Sequence, residues 1–325
     1  MGPRLSLGLL LLTACGETDT LSFNDFKPPA PVSEVVCPGP EAWTAVASPL
    51  QQGLSGIWGP RKNDLFAVGG GGTILRYDGV SWVDASPAII NSDLLAVHGS
   101  AADDVWVVGR GGLALHFDGR RFESFPTGHT QDLVAVQVGS KTEAWIAGAE
   151  GLSRWDGARF VRPEGAPTIA LNALWRSPSG QLWMSSNTSI FHFDGSRFTE
   201  QPIAHAKVLS AVFGAGSAVF AVGHGDGGAP GFASLEKDGW VFGAAPPRAV
   251  FFSLFTLNGS DLFVGASDTS IFRRTEGGWC REHLAKTGAL NAIFSTGAQD
   301  PYWAVGAIRG SGAGSDPVLL KRSAL

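Results

Sequence analysis

In the stretch Asp104-Val105-Trp106-Val107-Val108-Gly109-Arg110-Gly111-Gly112-Leu113-Ala114-Leu115-His116-Phe117-Asp118-Gly119, an imidazole and a carboxylate stand two positions apart. A carboxylate that orients an imidazole makes a proton-transfer pair, so His116 and Asp118 are the first candidates for chemistry. A second set has metal-ligand types: His224 and Asp226 in the Gly223 to Gly231 segment, with His129 and His205 in other polar stretches. Imidazole and carboxylate together suit zinc or a related ion. Nucleophiles are few, since the chain has only two tyrosines, Tyr77 and Tyr302, and three cysteines, Cys15, Cys37 and Cys280. It contains no Cys-x-x-Cys-His motif and no phosphate-binding glycine loop leading into a helix, so no cofactor is expected.

Which of these groups can meet depends on the elements that carry them. From Leu54 onward one pattern recurs, starting at Leu54, Leu94, Leu133, Leu171, Leu209, Phe252 and Leu290, at intervals of roughly 38 to 43 residues. Each copy has an apolar first run, a polar turn, a second apolar run with an aromatic, a glycine-rich turn, a third run, Asp-Gly and a final aromatic. Four short strands per copy at this period predict an all-β, seven-bladed β-propeller of four-stranded blades. The composition agrees: 44 glycines and 11 tryptophans against 2 methionines favour strands joined by tight turns over helices. The first runs, among them LSGIWG, LLAVHG and LNALWR, are apolar at nearly every position, as expected of an innermost strand covered on both faces. The last copy lacks a fourth strand, and Ala42 to Ser48 resembles the fourth strand Ser81 to Ser86 of the first. An N-terminal strand at about residues 42–48 is therefore predicted to complete the seventh blade and close the ring.

The repeat changes the reading of His116 and Asp118. His116 aligns with Arg76, Arg154, His192 and Arg273, so the position accepts different cations and demands no proton-transfer group. Asp118-Gly119 is one copy of a hairpin turn that recurs at Asp78-Gly79, Asp156-Gly157, Asp194-Gly195 and Asp238-Gly239, and in altered form at Gly277-Gly278. These aspartates are structural. The innermost runs carry no Asp or Glu; their polar residues are Ser55, Asn172, Ser210, Ser253 and Asn291, with His98 and Arg176 near the ends. They suit a polar ligand or water better than acid and base chemistry. His129, His205, His224 and Asp226 fall in loops expected on one face, where they are read as solvated ligand-face groups; no metal is expected. The segments 223–232 and 307–316, the latter carrying Arg309, depart most from the repeat and are candidate ligand-face loops.

The first fifteen residues, MGPRLSLGLLLLTAC, have a cation, an apolar run too short to span a bilayer, and small residues before Cys15. This reads as an export signal over residues 1–14. Leu12-Thr13-Ala14-Cys15 resembles the bacterial lipobox, which implies lipidation (palmitate-type acylation) of Cys15 as the mature N-terminus. Gly16 in place of an aspartate favours the outer membrane. Residues 15–36 read as a polar, proline-bearing tether, and residues 37–325 as the propeller. Cys37 and Cys280 would share an oxidising compartment and form a candidate disulfide between the closing segment and the sixth blade. The net charge of −5 leaves no basic footprint, so nucleic acid is not an expected partner, and membrane contact is expected through the lipid only.

The hairpin Tyr77-Asp78-Gly79-Val80-Ser81-Trp82 and its copies resemble a relaxed Asp-box of BNR-repeat propellers. Asn63 to Gly69 with Gly72 to Gly79 is similar to repeats of two-component-regulator propellers and of bacterial surface lipoproteins in the broad WD40/YVTN/BNR group. A sialidase-like member would need a tyrosine nucleophile, a carboxylate partner and an arginine cluster. Tyr77 instead occupies the packing position of Phe117, Trp155 and Phe193, and Tyr302 lies near the position of Trp106. The expectation is therefore a non-catalytic, monomeric cell-envelope lipoprotein whose propeller binds an envelope or extracellular protein or a glycan. Its alternatives are a carbohydrate-active hydrolase or lyase and an envelope-complex assembly factor.

Overall fold

Each repeat turns three times at fixed chemistry. In the second copy the strands are Leu94–Ala101, Asp104–Gly109, Ala114–Phe117 and Phe122–Ser124, each antiparallel to the one before. Between the second and third strands a three-residue turn, Arg110–Gly112, needs a left-handed residue at its centre, and Gly111 supplies it with φ of 65°. Between the third and fourth, Phe117 pairs with Phe122 across a four-residue loop. There Asp118 Oδ1 accepts the amides of Arg120 and Arg121 at 2.8 and 2.9 Å, and Gly119 takes φ of 92°. Those two amides hold the Asp118 carboxyl below its usual range. Asp78, Asp156 and Asp194 cap the same loop. The Asp-Gly signal thus marks a four-residue loop with an aspartate cap rather than the tightest hairpin. Asp238 departs from it: Glu236 pairs directly with Gly239, leaving Lys237 and Asp238 as a two-residue turn.

The computed structural model describes residues 35–37, 42–88, 90–246, 250–275, 278–283, 288–309 and 315–324. Its strands form seven four-stranded antiparallel sheets arranged as a seven-bladed β-propeller. Six sheets use four consecutive strands, and the seventh combines Gly288–Phe294, Tyr302–Arg309 and Ser315–Arg322 with Trp43–Ala45. The core is a circle of apolar clusters, each shared by neighbouring blades, as where Trp58, Phe66 and Ile74 of the first meet Leu94, Val107 and Phe117 of the second. Close approach is enforced by glycine: a Cβ on Gly99 would lie 2.6 Å from the Trp58 ring, and one on Gly214 would lie 2.8 Å from Trp175. Polar latches add to this. Asp93 accepts the Gly71 amide of the first blade at 2.9 Å, Asp132 accepts the Gly111 amide of the second at 3.0 Å, and Arg110 bridges both aspartates.

The ring closes as the sequence predicts. Trp43, Thr44 and Ala45 pair with Arg322, Lys321 and Leu320. Ahead of this strand, Val36 forms a parallel bridge with Arg281, and a Cys37–Cys280 disulfide joins the same segment to the outer strand of the sixth blade. The side chain of Glu282, only 4% exposed, sits at the junction. It accepts bonds from Trp43 Nε1 at 3.1 Å, from Arg322 Nε and Nη2 at 2.8 and 3.0 Å, and from Arg273 Nη1 at 3.4 Å. The export signal, Cys15 and most of the tether lie outside the described residues. Among the described residues no helix is long and apolar enough to cross a membrane.

Two stability predictions follow from the closure. Glu282→Ala strips Arg322 of its buried partner and is expected to cost about 3–5 kcal/mol, read from denaturant unfolding. The disulfide spans 243 residues, so Cys37→Ser is expected to lower stability by up to ~5 kcal/mol, with reductant lowering the wild-type midpoint and leaving the variant unmoved.

Candidate functional site

The structure separates His116 from Asp118. The carboxylate caps its own turn, whereas His116 Nε2 meets Asp104 Oδ1 of the preceding strand at 2.7 Å. Asp104 is fully buried; burial alone would raise its carboxyl, and bonds from His116 and Ser100 bring it below the usual range instead. The ring of His116 lies over Trp106, with centroids 4.6 Å apart. This is a motif of the fold. Arg76 lies over Phe66, Arg154 over Trp145, Arg273 over Phe263, Lys321 over Trp303, and His192 stacks on Trp183. Each pair faces across the second and third strands of one blade. Arg76 and Arg273 also repeat the ion pair, with Asp64 at 2.9 Å and Asp261 at 2.8 Å. A basic side chain laid over an aromatic face, in three blades also against a carboxylate, is a packing device, and it explains why the position tolerates His, Arg and Lys.

The loop groups do not assemble into a metal site. His205 meets Asp226 at 3.3 Å, and Lys207 meets the same carboxylate at 3.1 Å. His129 is not solvated: its side chain is 4% exposed, its Nε2 lies 2.8 Å from Ser153 Oγ, and its Nδ1 lies 3.4 Å from Glu150. Burial lowers its proton affinity, against an opposing pull from Glu150. His224 is part of a strand, Ala218–Gly225, paired with Val208 and Pro230. The expected long loop there is a lengthened hairpin whose tip, Asp226–Gly228, is the same three-residue turn as Arg110–Gly112. Arg309 likewise ends a strand and pairs with Ser315, and residues 310–314 lie outside the described residues. Among the described residues no group of three or more His, Cys, Asp or Glu comes together. Tyr77 and Tyr302 are buried among neighbouring rings, which confirms packing roles for both.

The concave feature on the ring axis is the channel, with about 320 Å³ of open space. Each innermost strand is a sheet edge, so its outward amides and carbonyls border this space. In six blades a bulge follows one apolar residue of that strand, Leu54, Leu94, Leu133, Leu209, Phe251 or Leu290. The extra residues, Ser55, Leu95, Val134, Ser210, Phe252 and Asn291, line the channel. Part of the polar set expected to bind ligand is spent on the ring itself. Asn172 donates to Leu209 O at 3.1 Å, Asn291 to Leu54 O at 2.8 Å and Ser253 to Leu290 O at 3.3 Å, each in the next blade.

Further along the strands, one repeat position forms a belt. Trp58, Trp175, Phe213, Phe255 and Phe294 fill it in five blades, and His98 and Gln137 fill it in the second and third. Phe213 lies 5.1 Å from Phe255 and 5.7 Å from Trp175. Arg176, next to Trp175, also reaches the channel and bonds Glu143 Oε2 at 3.0 Å. Burial, reinforced by the Arg176 charge, pushes the His98 imidazole down to about 4. No Asp or Glu lines the channel among the described residues. The sequence marked His98 and Arg176 as polar strand-end residues; their grouping with Gln137 needed the register of three blades.

No protein-family model and no curated protein matches the chain. Solved structures share its fold at low identity. A structure of YCF48 bound to D1 peptide is 14% identical with a TM-score of 0.72, covering 90% of this chain and 100% of that one. YCF48 from Cyanidioschyzon merolae is 18% identical with a TM-score of 0.69, covering 87% and 99%. The extracellular domain of BT4673 from B. thetaiotaomicron is 12% identical with a TM-score of 0.66, covering 86% of this chain and 40% of that one.

Two measurements check these assignments. His116→Arg keeps both the contact with Asp104 and the stacking and is expected to unfold within about 0.5 kcal/mol of wild type. His116→Leu deprives buried Asp104 of a partner and is expected to cost about 1–3 kcal/mol. His98 binds its proton less readily folded than unfolded, so its stabilising effect is full above pH 6.5 and is lost as pH falls from 6.5 towards about 4. His98→Gln is expected to flatten that part of the curve of unfolding midpoint against pH.

Proposed function

We propose that the protein is an exported, non-catalytic binding propeller, held at the bacterial outer membrane by a lipid on Cys15, that receives a protein ligand at its central channel. The observation that carries this reading is the channel itself, whose lining offers backbone edges, amide, imidazole and guanidinium groups and the exposed ring of Phe252 but no carboxylate. Glycoside hydrolysis of the common type needs two carboxyl groups about 5–9.5 Å apart, which this lining does not supply. A protein ligand is favoured over a glycan because sugar rings pack on open aromatic faces. Ten of the eleven tryptophans and both tyrosines are buried, Trp240 is half-buried, and Phe252 at the channel is the exposed aromatic among the described residues. The peptide-bound YCF48 structure and the extracellular domain of BT4673 show that rings of this shape occur in such settings, which supports the reading without extending their ligands to this chain.

The reading is tested by immobilising the chain from Cys37 onward and probing it with envelope proteins and a glycan array in parallel. Saturable capture of a protein, weakened at least tenfold by Phe252→Ser, is the expected result. A glycan that is bound and cleaved would overturn it. Cys15→Ser is expected to move the full-length protein from the membrane to the soluble fraction of cells.

A further inference from the structure

We propose that His98, Gln137 and Arg176 form a carboxylate-binding sector of the channel, for a ligand whose apolar body rests against the half-buried rings of Phe213 and Phe294. The inference builds on the binding role above and specifies what the channel recognises.

The case begins with the break in the repeat. One belt position is aromatic in five blades, yet two adjacent blades place His98 and Gln137 there, and the next blade adds Arg176 beside Trp175. Packing alone accounts for the rings: Trp58 and Trp175 interlock with Gly99 and Gly214 of the following blades, and Phe213, Phe255 and Phe294 pack on one another in turn. It does not account for three polar groups in succession. Their protons are also oriented. The Val138 amide donates to His98 Nδ1 at 3.1 Å, so a neutral imidazole carries its proton on Nε2 as a donor. Arg176 bonds Glu143 through Nη2, while its Nε–H is buried without an acceptor among the described residues. Glu143 is occupied on its other oxygen by Trp145 Nε1 at 3.0 Å. Gln137 adds a channel-lining amide that has no hydrogen-bond partner among the described residues.

The sector therefore presents more donors than side-chain acceptors, with no Asp or Glu in the lining. A ligand that brings acceptors would pair with the His98 Nε2–H and the Gln137 amide beside the Arg176 guanidinium. The guanidinium and the imidazole suit a planar, singly charged carboxylate. A phosphate would bring a second negative charge close to Glu143, which a singly charged carboxylate does not. The open volume of about 320 Å³ admits a compact acid or a single chain end, and excludes a folded loop. An apolar carboxylate has two sources, a small aryl or alkyl acid and the C-terminus of a polypeptide.

The test titrates the purified protein with N-acetylphenylalanine, its carboxamide, 3-phenylpropionate and a short peptide ending in phenylalanine. Tryptophan fluorescence reports the site because Trp58 and Trp175 border it, and calorimetry confirms stoichiometry. The acids are expected to bind saturably, with the carboxamide at least tenfold weaker. Gln137→Leu is expected to weaken the acids several-fold with an unchanged unfolding midpoint, and Arg176→Gln to erase the preference for acid over amide. Tighter binding of the peptide than of 3-phenylpropionate assigns the site to a chain terminus, and the reverse order assigns it to a free acid. Equal binding of acid and amide, or no binding of either acid to folded protein at millimolar concentration, overturns the proposal. Capture of a protein partner that survives a channel-filling Ser210→Trp substitution would also overturn it, while leaving the binding role standing.

Discussion

A ring of sheets holds only if its first and last blades are joined, and here the junction converges on one buried carboxylate. Glu282 gathers the indole of the closing strand, the arginine at the end of the seventh blade and an arginine of the sixth. Breaking that set would expose the outer edge of the seventh blade and loosen a cluster in which Trp43, Phe263 and Tyr302 meet. A buried and a half-buried arginine beside a single carboxylate would repel each other were there no further counter-charge. Asp261 supplies it by holding Arg273 at 2.8 Å, which leaves Glu282 free to bind Arg322 through two bonds. The disulfide acts on the same junction by a different route. It limits how far the N-terminal strand can drift when the ring opens, so the ionic set and the covalent bond reinforce each other.

Elsewhere the ring is held by the same small devices used repeatedly. The aspartate-capped loop fixes the register of the outer hairpin, the three-residue glycine turn fixes that of the middle one, and the aspartate latches tie the middle turn to the next blade. With register fixed at both turns, the cation on the third strand has to face the aromatic on the second. The stacked pairs are thus a consequence of the turns, and the identity of the cation is left free.

This explains which parts were legible in the sequence. Blade number, strand order and the displaced closing strand follow from the spacing of Leu54, Leu94, Leu133 and their copies, because repeated units must stack to bury their apolar runs. The columns holding Phe66, Trp106 and Trp145, and Arg76, His116 and Arg154, were both visible, but their pairing depends on hairpin register that spacing alone does not reveal. His129 illustrates the opposite difficulty. A histidine in a polar segment reads as solvated, yet the next blade folds over it and supplies Ser153 and Glu150. Lengthened strands in the fifth and seventh blades looked like loops because glycine interrupts them, as at Gly223 and Gly225. Backbone pairing there continues through residues whose side chains contribute little to packing.

The channel follows from a different constraint. Near the axis, neighbouring strands crowd one another, and a Cβ on Gly56 would lie 3.3 Å from Ala96 Cα. Side chains there face competing demands: small where strands touch, polar where a carbonyl of the next blade needs a donor, and aromatic where a gap must be filled. Asn172, Asn291 and Ser253 meet the second demand. The five rings of the belt meet the third. His98, Gln137 and Arg176 are not fully explained by either: His98 accepts the Val138 amide through Nδ1, which leaves Nε2 to donate, and Arg176 binds Glu143 through Nη2 alone. The polar break in the belt therefore borders the one space that no blade fills.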